Sequence, residues 1–394
     1  MWGQASTYSV KFRTRCLAAY NDGKGEGQTA EHHLFMVGTT ALREENEIHV
    51  VEYVEDSGSI QCCQVFHHPS EVWDVQPCPG DNKLLFTAYN TGSTMKGTLW
   101  NLPDPQTYLS DRDASDLSPS TKVMLVPKKT SLEQVLTLDH KSHIVGAAKW
   151  EPQADSTQRL LSWAGQGGVS DEVCVWDIRG GGAAVSQSYC LAEIKEAGDL
   201  GVVYCAAWDP HCNSNVTFAV DSHIMGWDLR ASGSNANTFT ISNAHGLAAR
   251  DIDYNPNKPY CFLSGGDDGK IKFWDYRQTS SPLKVLSSHS HWATAVKYNP
   301  FHDQLVLSGS TDRTVALWRA ALISSAPLLE FEGEEGEEQD AIADGLIRRF
   351  DEHEESVYGL AWSLCDAWVF ASLSYDGRFV INHVPSAEKY KILL

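Results

Sequence analysis

The sequence lacks the features that would place it in a membrane or on a nucleic acid. The N-terminal residues do not form a charged and then apolar segment, and no apolar run approaches membrane-spanning length. Positive charge is scarce, because 31 Lys and Arg stand against 51 Asp and Glu, a net charge of −20. Phosphate backbones and anionic lipids repel such a chain. We therefore expect a cytoplasmic protein with protein partners, no nucleic acid and no direct membrane insertion.

The sequence also lacks the common patterns of metal and phosphate sites. None of its ten cysteines belongs to a C-x-x-C pair. Cys62 and Cys63 are adjacent, so on a strand they point to opposite faces and cannot share a zinc ion. The segments "GQGG" and "GKGEG" are not followed by the Lys-Ser/Thr of a phosphate-binding loop. We expect reduced thiols and no cofactor.

Helical periodicity is nearly absent, and a repeat of short strands takes its place. In "HPSEVWDVQPCP", "HGLAARDIDYNP" and "HSHWATAVKYNP", a His precedes small or apolar residues at four and seven positions and Pro at eleven. Each copy runs on to a Trp box, usually Trp-Asp, and the best copies lie 44 to 51 residues apart. Four strands between such anchors are typical of a propeller blade. The chain resembles the WD-repeat family, and we predict an all-β fold, a single seven-bladed β-propeller.

The repeat also predicts blade boundaries and interruptions. The approximate blades are 7–66, 67–138, 139–198, 199–244, 245–288, 289–352 and 353–394. We expect "EKYKILL" (388–394) to be the outer strand of blade seven, so that the ring closes without strand exchange from the N-terminus. Insertions at 102–131 and 328–344 fall between third and fourth strands, and we expect both on one face. The acidic part, 330–344, is either a solvated loop or a binding site for a basic partner segment.

Recurring Ser, His and Asp residues have both a catalytic and a structural interpretation. Three copies of a hydrolase triad are implausible for an enzyme and natural for a repeat, so we interpret them as hydrogen bonds within each blade and expect no enzymatic activity. Asn382 replaces the expected Trp in blade seven, which we interpret as a lost bond. The structural positions are His245, Ser264, Asp268 and Trp274, then His289, Ser308, Asp312 and Trp318, then His353, Ser372 and Asp376.

Partner-binding candidates are the aromatic and charged residues near the turns that ring the channel. Trp, Tyr and Arg contribute most to interface energies. For each candidate, packing in the core or between blades remains an alternative. The candidates are Trp73, Arg250, His291, Trp292, Tyr358 and Tyr375.

The sequence further resembles the family of EARP and GARP complex-interacting proteins, most clearly in "NAHGLAARDIDYNPNK", "GDDGKIKFWDYR" and "FASLSYDGRFVINHVPSAEKYKILL". The resemblance covers nearly the full length and is poor in 102–131. It implies a non-catalytic adaptor of these endosomal and Golgi tethering complexes, with subunits of the Vps51–53 type and a fourth EARP- or GARP-specific subunit as partners. It also implies roles in endocytic recycling, retrograde transport to the trans-Golgi network and vesicle sorting, and peripheral association with both membranes.

Three W-D-x-R boxes support an alternative function. They resemble the motif by which substrate receptors of cullin–RING ubiquitin ligases dock their adaptor. The structural alternative is that each Arg pairs with an acidic turn of a neighbouring blade. A histone-binding propeller is a weaker hypothesis, motivated only by the negative charge. The arginines concerned are Arg179, Arg230 and Arg277.

Overall fold

The structure is a computed structural model, and it describes residues 6–21, 32–42, 44–104, 129–138, 145–152, 158–164, 172–179, 182–190, 201–231, 236–325 and 344–393. Its strands form seven sheets, which confirms the predicted all-β, seven-bladed β-propeller. Six sheets have four strands and one has five. The blades are numbered in chain order, although the first strand, β1 (Ser6–Ser9), belongs to blade seven.

Within each blade the strands run from the central channel outwards. The strands of blades one and two are β2 Thr14–Tyr20, β3 His32–Thr39, β4 Asn46–Val54, β5 Ser59–His68 and β9 Lys129–Ser131, then β6 Glu71–Cys78, β7 Asp81–Asn90, β8 Met95–Asn101 and β10 Glu133–Leu138. Those of blades three and four are β11 Ala147–Trp150, β12 Gln158–Trp163, β13 Glu172–Arg179 and β14 Gly182–Cys190, then β15 Val203–Trp208, β16 Asn215–Val220, β17 His223–Asp228 and β18 Asn237–Ile241. Those of blades five to seven are β19 Ala249–Tyr254, β20 Cys261–Gly266, β21 Lys270–Asp275 and β22 Lys284–Ser287, then β23 Ala293–Tyr298, β24 Leu305–Ser310, β25 Val315–Arg319 and β26 Gly345–Phe350, then β27 Val357–Trp362, β28 Val369–Ser374 and β29 Arg378–His383.

The position of a strand in its blade explains its sequence. Every residue of the second strands β20, β24 and β28 is buried, and they read as small and apolar runs, "CFLSGG", "LVLSGS" and "VFASLS". Both faces of these strands are covered by neighbouring blades, so no polar alternation is expected. The outer strands β18 and β22 alternate between exposed residues and residues that are half-buried or buried, because one face meets solvent.

The hydrophobic core lies between adjacent sheets. Leu263 and Phe273 of blade five pack in one cluster with Val296 and Trp318 of blade six. A similar cluster joins Phe35 of blade one to blade seven. Each blade therefore buries its apolar faces only against its neighbours, and the ring must close to cover the first and last of them.

Tight turns between second and third strands need a residue with positive φ. Gly269 and Gly377 supply it in blades five and seven, with φ of 69° and 88°. In blade six the same place after Asp312 is held by Arg313, with φ of 73°. A residue with a Cβ atom is strained in this region, so the turn of blade six carries a local energetic cost.

The ring closes differently from the prediction. β1 pairs antiparallel with β29, from Ser6 opposite Ile381 to Ser9 opposite Arg378, and is the outer strand of blade seven. Residues 7–9, predicted to open blade one, therefore belong to blade seven. The predicted outer strand 388–394 is wrong, because Ser386–Leu393 forms a helix, α1. Its sequence "SAEKYKIL" is rich in helix-forming Ala, Glu, Lys and Leu.

Helix α1 is anchored to blade six. Glu388 is buried and accepts two hydrogen bonds from the guanidinium of Arg319, the residue after the Trp of the blade-six box, with Nε to Oε2 at 2.9 Å. Ile392 packs against the cluster between blades six and seven. Lys389 lies 5.2 Å from the ring of Trp368. The helix therefore covers the seam between these two blades.

The two predicted insertions lie mostly outside the described residues. This holds for residues 105–128 of the insertion 102–131 and for residues 328–343 of the insertion 328–344, which includes most of the acidic part 330–344. The end of the first insertion forms β9, which adds to β5 in parallel as a fifth strand of blade one.

Candidate functional site

The upper face of the propeller is defined here by the turns between second and third strands and by the connections that lead into each first strand. The two kinds of segment touch. The position that a Cβ atom would take on Gly269 lies 3.0 Å from the backbone oxygen of His291 and 3.1 Å from that of His289. The space and the positive φ both require glycine here. The turn of blade five is thus tightly packed against the connection that leads into blade six.

The repeated Ser, His and Asp residues form closed networks inside single blades. In blade five, His245 Nε2 lies 2.7 Å from the hydroxyl of Ser264, and Nδ1 lies 2.9 Å from a carboxylate oxygen of Asp268. Trp274 donates its indole N–H to the same hydroxyl at 2.9 Å. The serine is fully buried, so it cannot meet a substrate. Burial disfavours the charge of Asp268, but its contacts with His245 hold the pKa of that carboxyl well below its usual value.

Blade six repeats this arrangement. His289 lies 2.7 Å from the hydroxyl of Ser308 and 3.1 Å from a carboxylate oxygen of Asp312, and Trp318 donates to Ser308 at 2.7 Å. Blade two has a related network, of which the sequence analysis found the repeat beginning at His68 but not the hydroxyl partner of that histidine. There His68 Nε2 lies 3.1 Å from the hydroxyl of Thr87. In the sequence, Thr87 follows His68 at the same spacing at which Ser264 follows His245, so a Thr in the place of that Ser could have indicated the network.

Blade seven has an altered network. His353 lies 2.7 Å from the hydroxyl of Ser372, as in the other blades, but its second nitrogen lies 2.8 Å from the hydroxyl of Ser374. Ser374 in turn donates to Asp376 at 2.5 Å, so Asp376 reaches the histidine only through this hydroxyl. Asn382 is buried, and its amide nitrogen has no hydrogen-bond partner within the described residues. Because Asn382 stands in place of the Trp, blade seven lacks the hydrogen bond that the Trp indole donates to the Ser hydroxyl in blades five and six.

The first half of the channel mouth is a stack across three blades. Arg15, the second residue of β2, places its guanidinium carbon 4.3 Å from the ring centre of Trp73 in blade two and 4.8 Å from that of Tyr358 in blade seven. Tyr375 packs against Tyr358, with ring centres 6.0 Å apart, and Arg13 lies 5.3 Å from the Tyr375 ring. Aromatic rings attract cations through their negative faces.

The second half repeats the stack in blades four, five and six. Arg250, the second residue of β19, lies 4.5 Å from the ring centre of Tyr204 and 5.0 Å from that of Trp292. His291 packs against Trp292 at 5.1 Å. The guanidinium of Arg250 also donates two hydrogen bonds of 2.6 Å to the carboxylate of Asp267. We call the two central arginines and the four aromatic residues on which they stack the mouth ring: Arg15, Trp73, Tyr204, Arg250, Trp292 and Tyr358.

From blade three, Gly146, Ala147 and Trp163 line the same mouth. Below the ring lies a cavity of about 210 Å³. On its wall, Lys297 lies 3.0 Å and Lys149 3.9 Å from the carboxylate of Asp251. Burial disfavours the charge of Asp251, but the two lysines hold the pKa of that carboxyl below its usual value.

The structure thus brings all six partner-binding candidates together at one mouth. Arg13, Arg15 and Tyr204 were missed. Blade one lacks the His and Pro anchors by which the other copies were aligned, so the sequence offered no register for Arg13 and Arg15. Tyr204 lies in "DLGVVYCAAWDP", whose alignment was weak.

The arginines of the W-D-x-R boxes lie at the far ends of third strands, away from the mouth ring. Arg230 pairs with Asp228 and Arg277 with Asp275, each through the Asp of its own box. The interpretation that they pair with a neighbouring blade is therefore wrong. Their side chains are 73% and 60% exposed, and nothing in these contacts favours the ligase hypothesis. The side chain of Arg179 lies outside the described residues.

Two further features concern the described residues. No helix within them is long and apolar enough to cross a membrane. The same part of the chain contains no group of three or more His, Cys, Asp or Glu arranged to hold a metal ion.

Comparison with known proteins gives a consistent result. Residues 3–125 and 170–318 match the family model described as EIPR1 beta-propeller, and residues 345–381 match the WD domain, G-beta repeat. EARP and GARP complex-interacting protein 1 of Homo sapiens is 36% identical over 98% of both chains. The EARP-interacting protein homolog of Danio rerio is also 36% identical over 98% of both. The WD repeat-containing protein DWA2 of Arabidopsis thaliana is 31% identical, over 96% of this chain and 95% of the relative.

Proposed function

The chain belongs to the EIPR1 beta-propeller family, and from this premise we propose that it is a non-catalytic WD-repeat adaptor that binds the EARP and GARP complexes. The observation that carries the proposal is a relationship at 36% identity over 98% of the chain with relatives named for those complexes. The buried serines of the Ser-His-Asp networks support the non-catalytic part, because catalysis needs a nucleophile that a substrate can reach.

The proposal extends to the cellular role. We propose that the protein supports endocytic recycling, retrograde transport to the trans-Golgi network and vesicle sorting, through complex subunits shared by EARP and GARP and one specific to each. It would work in the cytoplasm and reach endosomal and Golgi membranes through these partners. The net charge of −20 supports an indirect attachment, since anionic lipids repel it.

We propose the mouth ring as the main contact surface. Trp, Tyr and Arg are the residue types that dominate interface energies, and here their side chains stack on one another. Trp292 is 40% exposed on the upper face, so part of its ring is open to a partner. A preformed aromatic surface loses little conformational entropy on binding.

The test is affinity purification of the tagged protein from its own cells, with mass spectrometry of the chains that co-purify. We expect a stoichiometric set of EARP and GARP subunits. A matched purification with a Trp292→Ala variant should recover less of them, and a Phe301→Ala variant, which changes an exposed aromatic residue far from the mouth, should recover the wild-type amount. Recovery of a cullin and its adaptor without tethering subunits would contradict the proposal.

A further inference from the structure

The charges around the mouth cancel within the protein. Four cations line the cavity below the mouth ring, and four carboxylates line it or lie close to these cations, so their formal charges sum to zero: Arg15, Lys149, Arg250 and Lys297, with Asp74, Asp251, Asp253 and Asp267. Arg250 donates two hydrogen bonds of 2.6 Å to Asp267, and Lys297 lies 3.0 Å from Asp251. The charges of the mouth therefore favour neither an acidic nor a basic partner.

Aromatic side chains remain at the surface of this mouth in blades six and seven. We call three of them the aromatic track: Trp292, Tyr358 and Tyr375. Trp292 is 40% exposed, and the two tyrosines are half-buried. Arg250 lies 5.0 Å from the ring centre of Trp292 and within electrostatic range of the Tyr358 hydroxyl, which places these two rings on the same side of the mouth. The structure describes the upper face of both blades without a break, over 288–292, 311–314, 351–356 and 375–377.

The polar groups of the aromatic track are unused inside the protein. Neither the indole N–H of Trp292 nor the hydroxyl of Tyr358 or of Tyr375 makes a hydrogen bond to any residue that the structure describes. Such groups are hydrogen-bonded when they are buried, and an indole N–H can only donate. A purely apolar surface placed over the track would leave these donors without acceptors. A partner that covers the track must therefore supply hydrogen-bond acceptors.

A proline-rich segment in the polyproline II conformation meets these requirements. Its backbone carbonyls make no hydrogen bonds within the segment, so all of them are free to accept from Trp and Tyr side chains. Proline has no backbone N–H, so no donor of the segment would be left without an acceptor on the track. Its rings pack on aromatic surfaces, and the conformation is preformed, so little entropy is lost on binding.

We propose that the aromatic track binds an uncharged, proline-rich segment of a partner protein in the polyproline II conformation. Proline rings of the segment pack on the three aromatic rings, and its backbone carbonyls accept hydrogen bonds from Trp292, Tyr358 and Tyr375. That the segment belongs to a subunit of the EARP or GARP complex rests on the proposed function. Its chemical class rests only on the neutral charge, the aromatic rings and the unused donors of the track.

The test is calorimetric titration of the full chain with decaproline that is acetylated and amidated at its ends. Capped hexaglutamate, hexalysine and a glycine–serine decamer are the comparison peptides. Wild type should bind decaproline and none of the other three, with an affinity that salt does not change, because no charge pairs form. No binding of decaproline, or binding of a charged peptide in its place, would overturn the proposal. Equal binding of the glycine–serine decamer would also overturn it, since proline rings would then contribute nothing.

Substitutions locate the peptide on the aromatic track. Trp292→Ala should weaken decaproline binding about tenfold. Tyr358→Phe keeps the ring and removes the hydroxyl, so it should weaken binding about fivefold through the lost hydrogen bond. Tyr260→Phe changes a tyrosine that is 41% exposed on the opposite face and should match wild type. Thermal unfolding checks that each variant is folded. Decaproline binding that neither track variant weakens would overturn the proposal.

Competition with purified EARP complex separates this inference from the proposed function. If both hold, EARP complex should bind the full chain and decaproline should displace it. Decaproline binding without EARP binding would contradict the proposed function and leave this inference standing. EARP binding by a chain that does not bind decaproline would overturn the inference and leave the proposed function standing.

Discussion

Three buried histidines should make the propeller lose stability as pH falls from 6.5 to 4. His33 in β3, His68 at the end of β5 and His353 just before β27 are buried, and burial lowers the pKa of each from 6.5 to about 4. In the unfolded chain all three take up a proton below pH 6.5, whereas the folded protein keeps them neutral until about pH 4. The unfolded state therefore binds more protons than the folded state in this window. The free energy of unfolding decreases as the pH is lowered.

The size of the loss follows from the two pKa values. At pH 5.5 a histidine with a pKa of about 4 in the folded state and 6.5 in the unfolded state costs about 1.4 kcal/mol of stability. The three residues share no hydrogen-bond partner, so their effects should add to about 4 kcal/mol. The lowered pKa values of His49, His302 and His383 act in the same direction. Asp268 and Asp312, whose pKa values are lowered in the folded state, contribute stability that is lost only below about pH 3.8. The two windows are therefore separate.

Urea unfolding at pH 7.5 and pH 5.5, followed by tryptophan fluorescence, measures the difference. Wild type should lose at least about 4 kcal/mol between the two conditions. His353→Gln should be less stable at pH 7.5, because its network changes, but on acidification it should lose about 1.4 kcal/mol less than wild type does. His291→Gln changes an exposed histidine and should lose as much as wild type. If His353→Gln lost as much stability on acidification as wild type does, protonation of His353 would not be a cause of the loss.

Three further substitutions test other parts of the structure. Trp292→Ala should weaken partner binding by about 1–2 kcal/mol in a titration with purified EARP complex, with thermal unfolding unchanged, and Phe301→Ala should leave the affinity at the wild-type value. Arg313→Gly should raise the free energy of unfolding by about 1 kcal/mol, because glycine relieves the strain at φ of 73°, and an unchanged urea midpoint would refute this. Glu388→Ala should destabilise the fold by about 3 kcal/mol, because Arg319 would remain buried without its partner; Glu388→Ala combined with Arg319→Leu should recover part of that loss in thermal unfolding.

The repeat could be predicted from the sequence because its contacts are local. His245, Ser264, Asp268 and Trp274 lie within one blade, at spacings that recur in blade six, so self-comparison found them and assigned their structural role. The six candidates at the mouth were chosen by residue type and by their place near turns. Their actual partners were out of reach, because Arg15 stacks between residues 58 and 343 positions away, and no repeat spacing encodes such contacts.

Ring closure is the clearest case of a contact between distant parts of the chain that the repeat could not predict. "EKYKILL" was expected to form a strand because blade seven needed a fourth one, but β1 at the other end of the chain fills that edge. Sequence alone determined the number of blades, the hydrogen-bond networks of blades five and six and the class of fold, since each depends on residues close along the chain. Only the tertiary structure decided how the ring closes, where α1 packs and how two arginines are stacked. Those outcomes depend on which surfaces remain unpaired once seven sheets are placed around one channel.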